Sequence, residues 1–529
     1  MSAQADKYVL AIDLGTSSAK VALISMRGDV AGWECEPMGL TLLPNGGAEQ
    51  DPLDWWNGIM AAAKRLMARR LVPAESVVAV CTSSQGSGTV PVDRHGNCLM
   101  NCMTWLDSRA AQVVRRQVGG GLEIAGYNAL KLQKWVSLTG GAPSLSGKDR
   151  FGHMLWLKLE KPDLYSHTYK FLDVLDYIDF RLSGQFVTSA DSAVGTWLTD
   201  NRDPGSVRYD SGLARLGGLD IEKQPAIRRS IDVLGPIQAE VSEALGLRKD
   251  VAIVTGAFDI PAAALGSGAV RNFEAHVYLG TSSWVAAHVP FKKTDVASTM
   301  ASVPCAIPDR FLLMAVQEIA GGNLTFFRDN LLFHRDALLD RPAPDDYFEA
   351  LNRVAEAVPP GSRGVMYTPW LYGERSPVDD PWVRGGFHNL SLGSTRGDMV
   401  RAIMEGVAFN TRWVFEPAEK FCGQRLDKVN LVGGGALSDL WCQVLADVLN
   451  RTVRQVKDPV YANARGAAFM AAVGLGLVRF EDIPNLIQYQ ATYTPEPERR
   501  ELYDTMYREY LTIYKVTHKI HERLNRARN

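Results

Sequence analysis

One pentapeptide is written twice: Leu14-Gly15-Thr16-Ser17-Ser18 returns as Leu279-Gly280-Thr281-Ser282-Ser283. Each copy stands between two β-rich runs, 8–12 and 21–24 around the first, 276–278 and 284–289 around the second. Each unit therefore reads as strand, tight polar turn, strand. The copies open the two halves of the chain, which points to duplication rather than chance. Glycine lets backbone approach an anion, and the following amides and hydroxyls donate hydrogen bonds to it. Asp13 directly precedes the first turn, and Lys20 follows it. A carboxylate beside a phosphate turn makes sense with Mg²⁺ between the two, and Lys20 can reach a terminal phosphate. A plain hairpin explains one copy equally well; two copies plus the acid favour the anion site.

The rest of the chain is punctuated as α/β. Asp51-Pro52 starts a helix running to about Arg70, and 77–81 is a buried strand. The run 90–92 with the turn 93–97 reads as a hairpin. In the second half, 429–432 is a strand, Ser438 caps a helix over 439–449, and 452–456 is another strand. An Ala-rich helix over 464–473 can pack closely, and the last helix has the apolar face Met506, Tyr510, Ile513, Tyr514 and Val516. At 529 residues the chain exceeds one ordinary core, at roughly 150 residues per domain. The expectation is two α/β domains, 1–268 and 269–529, sharing a tight cleft.

A net charge of −2 offers no field for nucleic acid or an anionic membrane. The apolar stretches 251–270 and 466–478 are interrupted by Asp259 and Pro261 or too short to span a bilayer. The N-terminus has no apolar signal core. The seven scattered cysteines read as buried thiols in a reducing cytosol, so a cytoplasmic protein is expected.

Two further sites carry chemistry. Gly433-Gly434-Gly435-Ala436 joins a strand to a helix, where small residues and a helix N-terminus suit an anion or nucleotide. Asp259 follows an apolar strand and Thr255-Gly256, and precedes Pro261. It reads equally as a helix cap or as a general base. Neither a Walker A sequence nor a dinucleotide glycine motif after an N-terminal strand occurs.

Taken in order, several motifs resemble the FGGY carbohydrate kinases. They are 13–20, Trp105-Leu106-Asp107-Ser108-Arg109, Asp176-Tyr177 with Leu182-Ser183-Gly184, 255–259, 279–283, Gly373-Glu374-Arg375-Ser376-Pro377, 384–387 and 433–439. The resemblance runs from Tyr8 to about Leu477. It implies two duplicated ribonuclease-H-like domains of the actin-like ATPase superfamily, with an interdomain cleft. It makes Asp259 the base that deprotonates a sugar hydroxyl, and Asp13 the holder of Mg²⁺. Gly15, Thr16, Ser17, Ser18, Lys20, Gly280 and Thr281 would face the ATP phosphates; Gly321, Thr325, Gly434, Gly435, Ala436 and Asp439 would hold the nucleotide. Gln85, Gly86, Ser87, Trp105, Asp107 and Arg109 match the sugar pocket. The partner implied is a small sugar or polyol, D-xylulose first because 373–377 resembles the xylulokinase branch, with L-ribulose, another ketose, or a polyol such as glycerol or an erythritol-like compound as alternatives. A homodimer is implied as well. A non-catalytic sugar sensor is the rival from another class.

The chain also departs from the family. Ser84-Gln85-Gly86-Ser87 stands where xylulokinases have Gly-Gln-Met-His, and Ser83-Ser84 replaces the Arg-Glu of glycerol kinases. Ile260-Pro261 follows the Asp, and Tyr461 takes the place of a common Glu.

Overall fold

The computed structural model describes residues 6–336, 339 and 342–526. The apolar runs flanking the first pentapeptide form a hairpin of Tyr8–Leu14 (β1) and Ser18–Ser25 (β2). Val30–Pro37 (β3), Val77–Ser84 (β4), Val233–Pro236 (β5) and Ala252–Phe258 (β6) complete a six-stranded sheet, ordered β5-β6-β4-β1-β2-β3. The central strands are apolar on both faces, as buried parallel strands must be.

The second pentapeptide joins Ala275–Leu279 (β7) to Ser283–Val289 (β8). Thr294–Asp295 (β9), Met300–Pro304 (β10), Phe311–Gln317 (β11), Lys428–Val432 (β12), Thr452–Val456 (β13) and Tyr489–Tyr493 (β14) extend this to eight strands. Their order is β9-β10-β11-β8-β7-β12-β13-β14. The series β3-β2-β1-β4-β6-β5 and β11-β8-β7-β12-β13-β14 share one pattern: two antiparallel pairings, two parallel, one antiparallel. The duplication legible in one peptide thus extends over all six strands of the first sheet and six of the eight strands of the second.

Six helices frame the site and the core between the sheets: Pro52–Ala68 (α1), Asp259–Gly266 (α2), Arg396–Cys422 (α3), Asp439–Leu449 (α4), Ala462–Gly474 (α5) and Arg500–Arg526 (α6). Asp51 caps α1 by accepting from the Leu53 amide, and Ser438 caps α4 by accepting from the Trp441 amide. Helices α2 and α5 cross between the sheets and share one core with both, from Val9 and Cys81 on one side to Trp284 and Val456 on the other. A Cβ on Gly266 would collide with the Ala462 carbonyl, and one on Gly466 with the Ala262 carbonyl. The contact therefore exchanges Ala262 with Ala462 and Gly266 with Gly466, a local twofold. Asp259 then answers to Pro459, and Asn463 to Ala263.

Two local expectations are corrected and one is extended. The run Val90–Val92 folds back through the expected turn, with the Asp93 amide donating to the Asn97 carbonyl (3.0 Å), the Leu99 amide to the Pro91 carbonyl (2.9 Å) and Val92 bridging Cys98, and it also pairs antiparallel with Lys170–Leu172. Val516 is 62% exposed, because the stripe that buries α6 is Tyr503, Met506, Tyr507 and Tyr510. Cys35 and Cys98 are only half-buried; the other five cysteines are buried.

Candidate active site

The first pentapeptide turn, expected to cradle phosphate, is braced by its neighbours. The Gly15 amide donates to the Ser18 carbonyl (2.9 Å), leaving Ser17 exposed and Ser18 half-buried. The Thr16 hydroxyl donates to Gln85 Oε1 (2.7 Å) and accepts from the Trp105 indole (3.0 Å). Gln50, which the motifs did not single out, donates from Nε2 to the Thr16 carbonyl (2.8 Å) and accepts from Gln85 (2.7 Å). The phosphate turn and the expected sugar pocket are therefore one hydrogen-bonded unit. Asp13, at the end of β1, is buried; its Oδ2 lies 3.4 Å from Lys20 Nζ and its Oδ1 accepts from Asn463 Nδ2 (3.3 Å). The Asp13 charge is the main reason the Lys20 ammonium is held above its ordinary range, against the cost of burial.

The second turn is spelled alike but closed differently. Leu279 pairs with Ser283, whereas Leu14 pairs with Ala19, so the second loop is one residue shorter. Its backbone is stapled elsewhere: Gly321 donates to the Gly280 carbonyl (2.8 Å), and Ala320 and Gly322 to the Thr281 carbonyl (2.8 and 3.1 Å). Gly433, at φ +92°, lies so close to the Leu279 carbonyl that a Cβ would meet it at 2.7 Å. Gly280, Gly321, Gly433 and Gly435 thus converge on one spot, with Gly434 exposed and open. The Thr325 amide donates back to Gly321, and the buried Ala436 carbonyl accepts from Gln455 (2.7 Å). Thr281 is exposed; Asp439, also exposed, accepts from the Tyr493 hydroxyl (2.8 Å).

Asp259 is the first residue of α2, after strand β6 has run on to Phe258. The cap position falls on Phe258, so Asp259 caps nothing with its side chain. Desolvation, then the nearby Asp13 charge, push its carboxyl up to about 7, against the pull of the Ile260 amide. Asp191, unmarked by any motif, fixes the entrance to α2: its Oδ2 accepts from the Phe258 amide (3.1 Å) and its Oδ1 from Ser230 (2.7 Å). Tyr278, one residue before the second turn, stacks flat on Trp284 at 4.0 Å. Burial pushes its phenol up to about 12, with Lys20 opposing and Asp13 and Asp259 adding. Both turns therefore act on one electrostatic centre.

The remaining pocket residues are placed as follows. Gly86 packs its backbone against the Phe258 ring, and Ser87 takes a left-handed conformation (φ +61°) facing Gly195. Asp107 is fully buried and accepts from the Ala48 amide and from Arg109. Arg109 also bonds Glu49 (2.7 Å) and lies over Trp156. From the second half, Arg375 pairs with Glu318 (2.8 Å) and stands 5.9 Å over the Trp105 ring. The buried Glu374 accepts from the Glu318 and Arg375 amides, which fixes the loop that presents Arg375. Among the described residues no group of three or more His, Cys, Asp or Glu side chains could hold a metal ion by itself. Asp13 together with the unpartnered, buried Asn463 Oδ1 suits a cation that brings phosphate ligands with it.

The N-terminal domain model of the FGGY family of carbohydrate kinases matches residues 8–266, and the C-terminal domain model matches residues 275–475. The chain belongs to this family. It is 29% identical over 528 residues to xylulose kinase of Bacillus subtilis (strain 168), covering 99% of each chain. It is 27% identical over 528 residues to autoinducer-2 kinase of Enterobacter sp. (strain 638), covering 96% of this chain and 94% of that one. Gluconate kinase from Lactobacillus acidophilus superposes with a TM-score of 0.82 at 25% identity, and ligand-bound xylulose kinase from the same organism with 0.81 at 25%; each covers 97% of this chain and 98% of the other. The protein is thus a sugar kinase of the two-domain α/β, actin-like ATPase fold. No helix among the described residues is long and apolar enough to cross a membrane.

Proposed function

We propose that this kinase transfers the γ-phosphoryl group of ATP to a hydroxyl of an uncharged ketose, D-xylulose, with Asp259 as general base. The observation that carries the reading is the meeting of Asp259, Asp13 and Lys20 beside two phosphate turns that belong to different halves. The ATP phosphates lie between the turns, with Gly15–Ser18 and Lys20 on one side and Gly280 and Thr281 on the other. The adenosine rests along Gly321, Thr325, Gly434, Gly435, Ala436 and Asp439. Asp13 would hold Mg²⁺, which would supply charge neutralisation for the transferring group. Asp259 accepts the hydroxyl proton, and closure of the units 1–268 and 269–529 excludes water.

An uncharged acceptor is favoured because the strong cations of the pocket are already spoken for. Arg109 is paired with Asp107 and Glu49, Arg375 with Glu318, and Lys20 with Asp13. An aldonate carboxylate would meet no unpaired guanidinium among these residues. The test is ADP release across D-xylulose, L-ribulose, glycerol, erythritol and gluconate. Stimulation by the ketose and none by gluconate is expected; stimulation by none of the panel sinks the kinase reading for this class. Asp259→Asn should retain ATP binding and lose about 10²–10⁴-fold in kcat. Near-normal turnover removes Asp259 from the mechanism.

A further inference from the structure

Among the described residues, Asn463 is the one side chain of the second half that hydrogen-bonds Asp13. It stands on the first turn of α5, is 6% exposed, and donates from Nδ2 to Asp13 Oδ1 at 3.3 Å. The orientation of its amide follows from chemistry: an ionised carboxylate only accepts, so the nitrogen must face Asp13. That leaves Asn463 Oδ1 buried with no hydrogen-bond partner. An orphaned buried acceptor costs about 1–3 kcal/mol, so it persists where something supplies a donor during function. Lys20 already takes the other Asp13 oxygen, Oδ2.

Nothing in the duplication calls for an amide here. The local twofold relates Asn463 to Ala263, just as it relates Asp259 to Pro459. Each of the two helices carries one polar group near Asp13. The glycine contacts at Gly266 and Gly466 leave no slack between them, so the reach of Asn463 to Asp13 is set by the direct backbone contact of the two helices.

We propose that Asn463 is a positioning residue for the divalent cation of the bound nucleotide: its N–H fixes the Asp13 carboxylate, and its amide oxygen accepts from a cation-bound water. This rests on the proposal that the cleft binds a nucleotide. Partners of this kind are worth about 10–100-fold in metal affinity. Being donated by the second half, the contact also ties cation binding to the relative placement of the two sheets.

The test measures Mn²⁺ binding to the enzyme–ADP complex by the electron spin resonance of free Mn²⁺, beside ADP affinity without divalent ions. Asn463→Ala should weaken Mn²⁺ on the ADP complex by about tenfold or more, with ADP affinity in its absence unchanged. Asn463→Gln, which keeps both the N–H donor and the amide oxygen, should retain Mn²⁺ binding, and Asn463→Leu, close to Asn in shape but without either group, provides the comparison should the Ala variant fail to fold. Mn²⁺ binding to Asn463→Ala as tight as wild type overturns the proposal. So does an equal loss of ADP affinity without divalent ions, which marks a structural role. If the wild-type ADP complex takes up no Mn²⁺ while ADP still binds, the cation reading itself fails; if ADP does not bind, the nucleotide reading fails.

Discussion

At the residue scale the site turns on two carboxylates with different surroundings. Asp13 faces Lys20 and Asn463, whereas the carboxyl of Asp259 is shifted chiefly by desolvation and by the nearby Asp13 charge. Crowding and like charge raise the proton affinity of Asp259, to about 7, and a base near neutrality is what proton abstraction from a hydroxyl needs. Asp259 works only when deprotonated, so kcat/KM should level off above pH 7 and fall about tenfold per unit below it. A profile of kcat/KM from pH 5 to 9 checks this; a flat profile between pH 5.5 and 7 contradicts the role. Asp259 stood out in the sequence by its strand-end setting and Pro261, which left cap and base open; the family resemblance made it the candidate base. Gln50, Asp191 and Asn463 did not stand out, because each acts across many residues of chain and no local spacing marks it.

At the scale of elements, the close crossing of α2 and α5 decides where Asp259 and Asn463 can sit. Both helices are apolar nearly all round, as helices buried between two sheets must be. Only glycine at 266 and 466 lets the backbones touch. Gly466→Ala should destabilise the protein by about 1–3 kcal/mol through overpacking, visible as a lowered thermal midpoint. It should also separate Asn463 from Asp13. An unchanged midpoint would mean that the crossing relaxes freely. The Ala-rich composition of 464–473 announced close packing, but not that its partner is the helix carrying Asp259.

At the scale of the whole molecule, side-chain contacts join the halves. Arg375 stands over Trp105, whose indole donates to Thr16 of the phosphate turn, and Lys148 stands over the Tyr372 ring. A side chain of the second half therefore touches the pocket of the first. A partly exposed cation–π contact is worth about 0.5–1 kcal/mol, so Arg375→Ala should raise the acceptor KM roughly two- to fivefold with ATP affinity intact. Steady-state kinetics with each substrate varied in turn checks this. A rise in the ATP KM alone would place Arg375 outside the acceptor side.

The order of the amino acids suffices for the duplication, the two turns and the acid that follows the apolar strand. These are local: a glycine turn, a period-two strand and a helix start are each written within a few residues. The strands before Gly433 and before Asp259 were legible for the same reason. The pairing of Val90–Val92 with Lys170–Leu172, and the exposure of Val516, were not, since a short apolar run does not name its partner. Packing in three dimensions was needed to show that equal peptides close unequal loops, the first held by Gln85 and Trp105, the second by Gly321 and Gly433. It was needed also to show that a helix from the second half reaches Asp13. The reason is physical: turn chemistry acts over adjacent residues, whereas the approach of two helices depends on volumes set by both sheets at once.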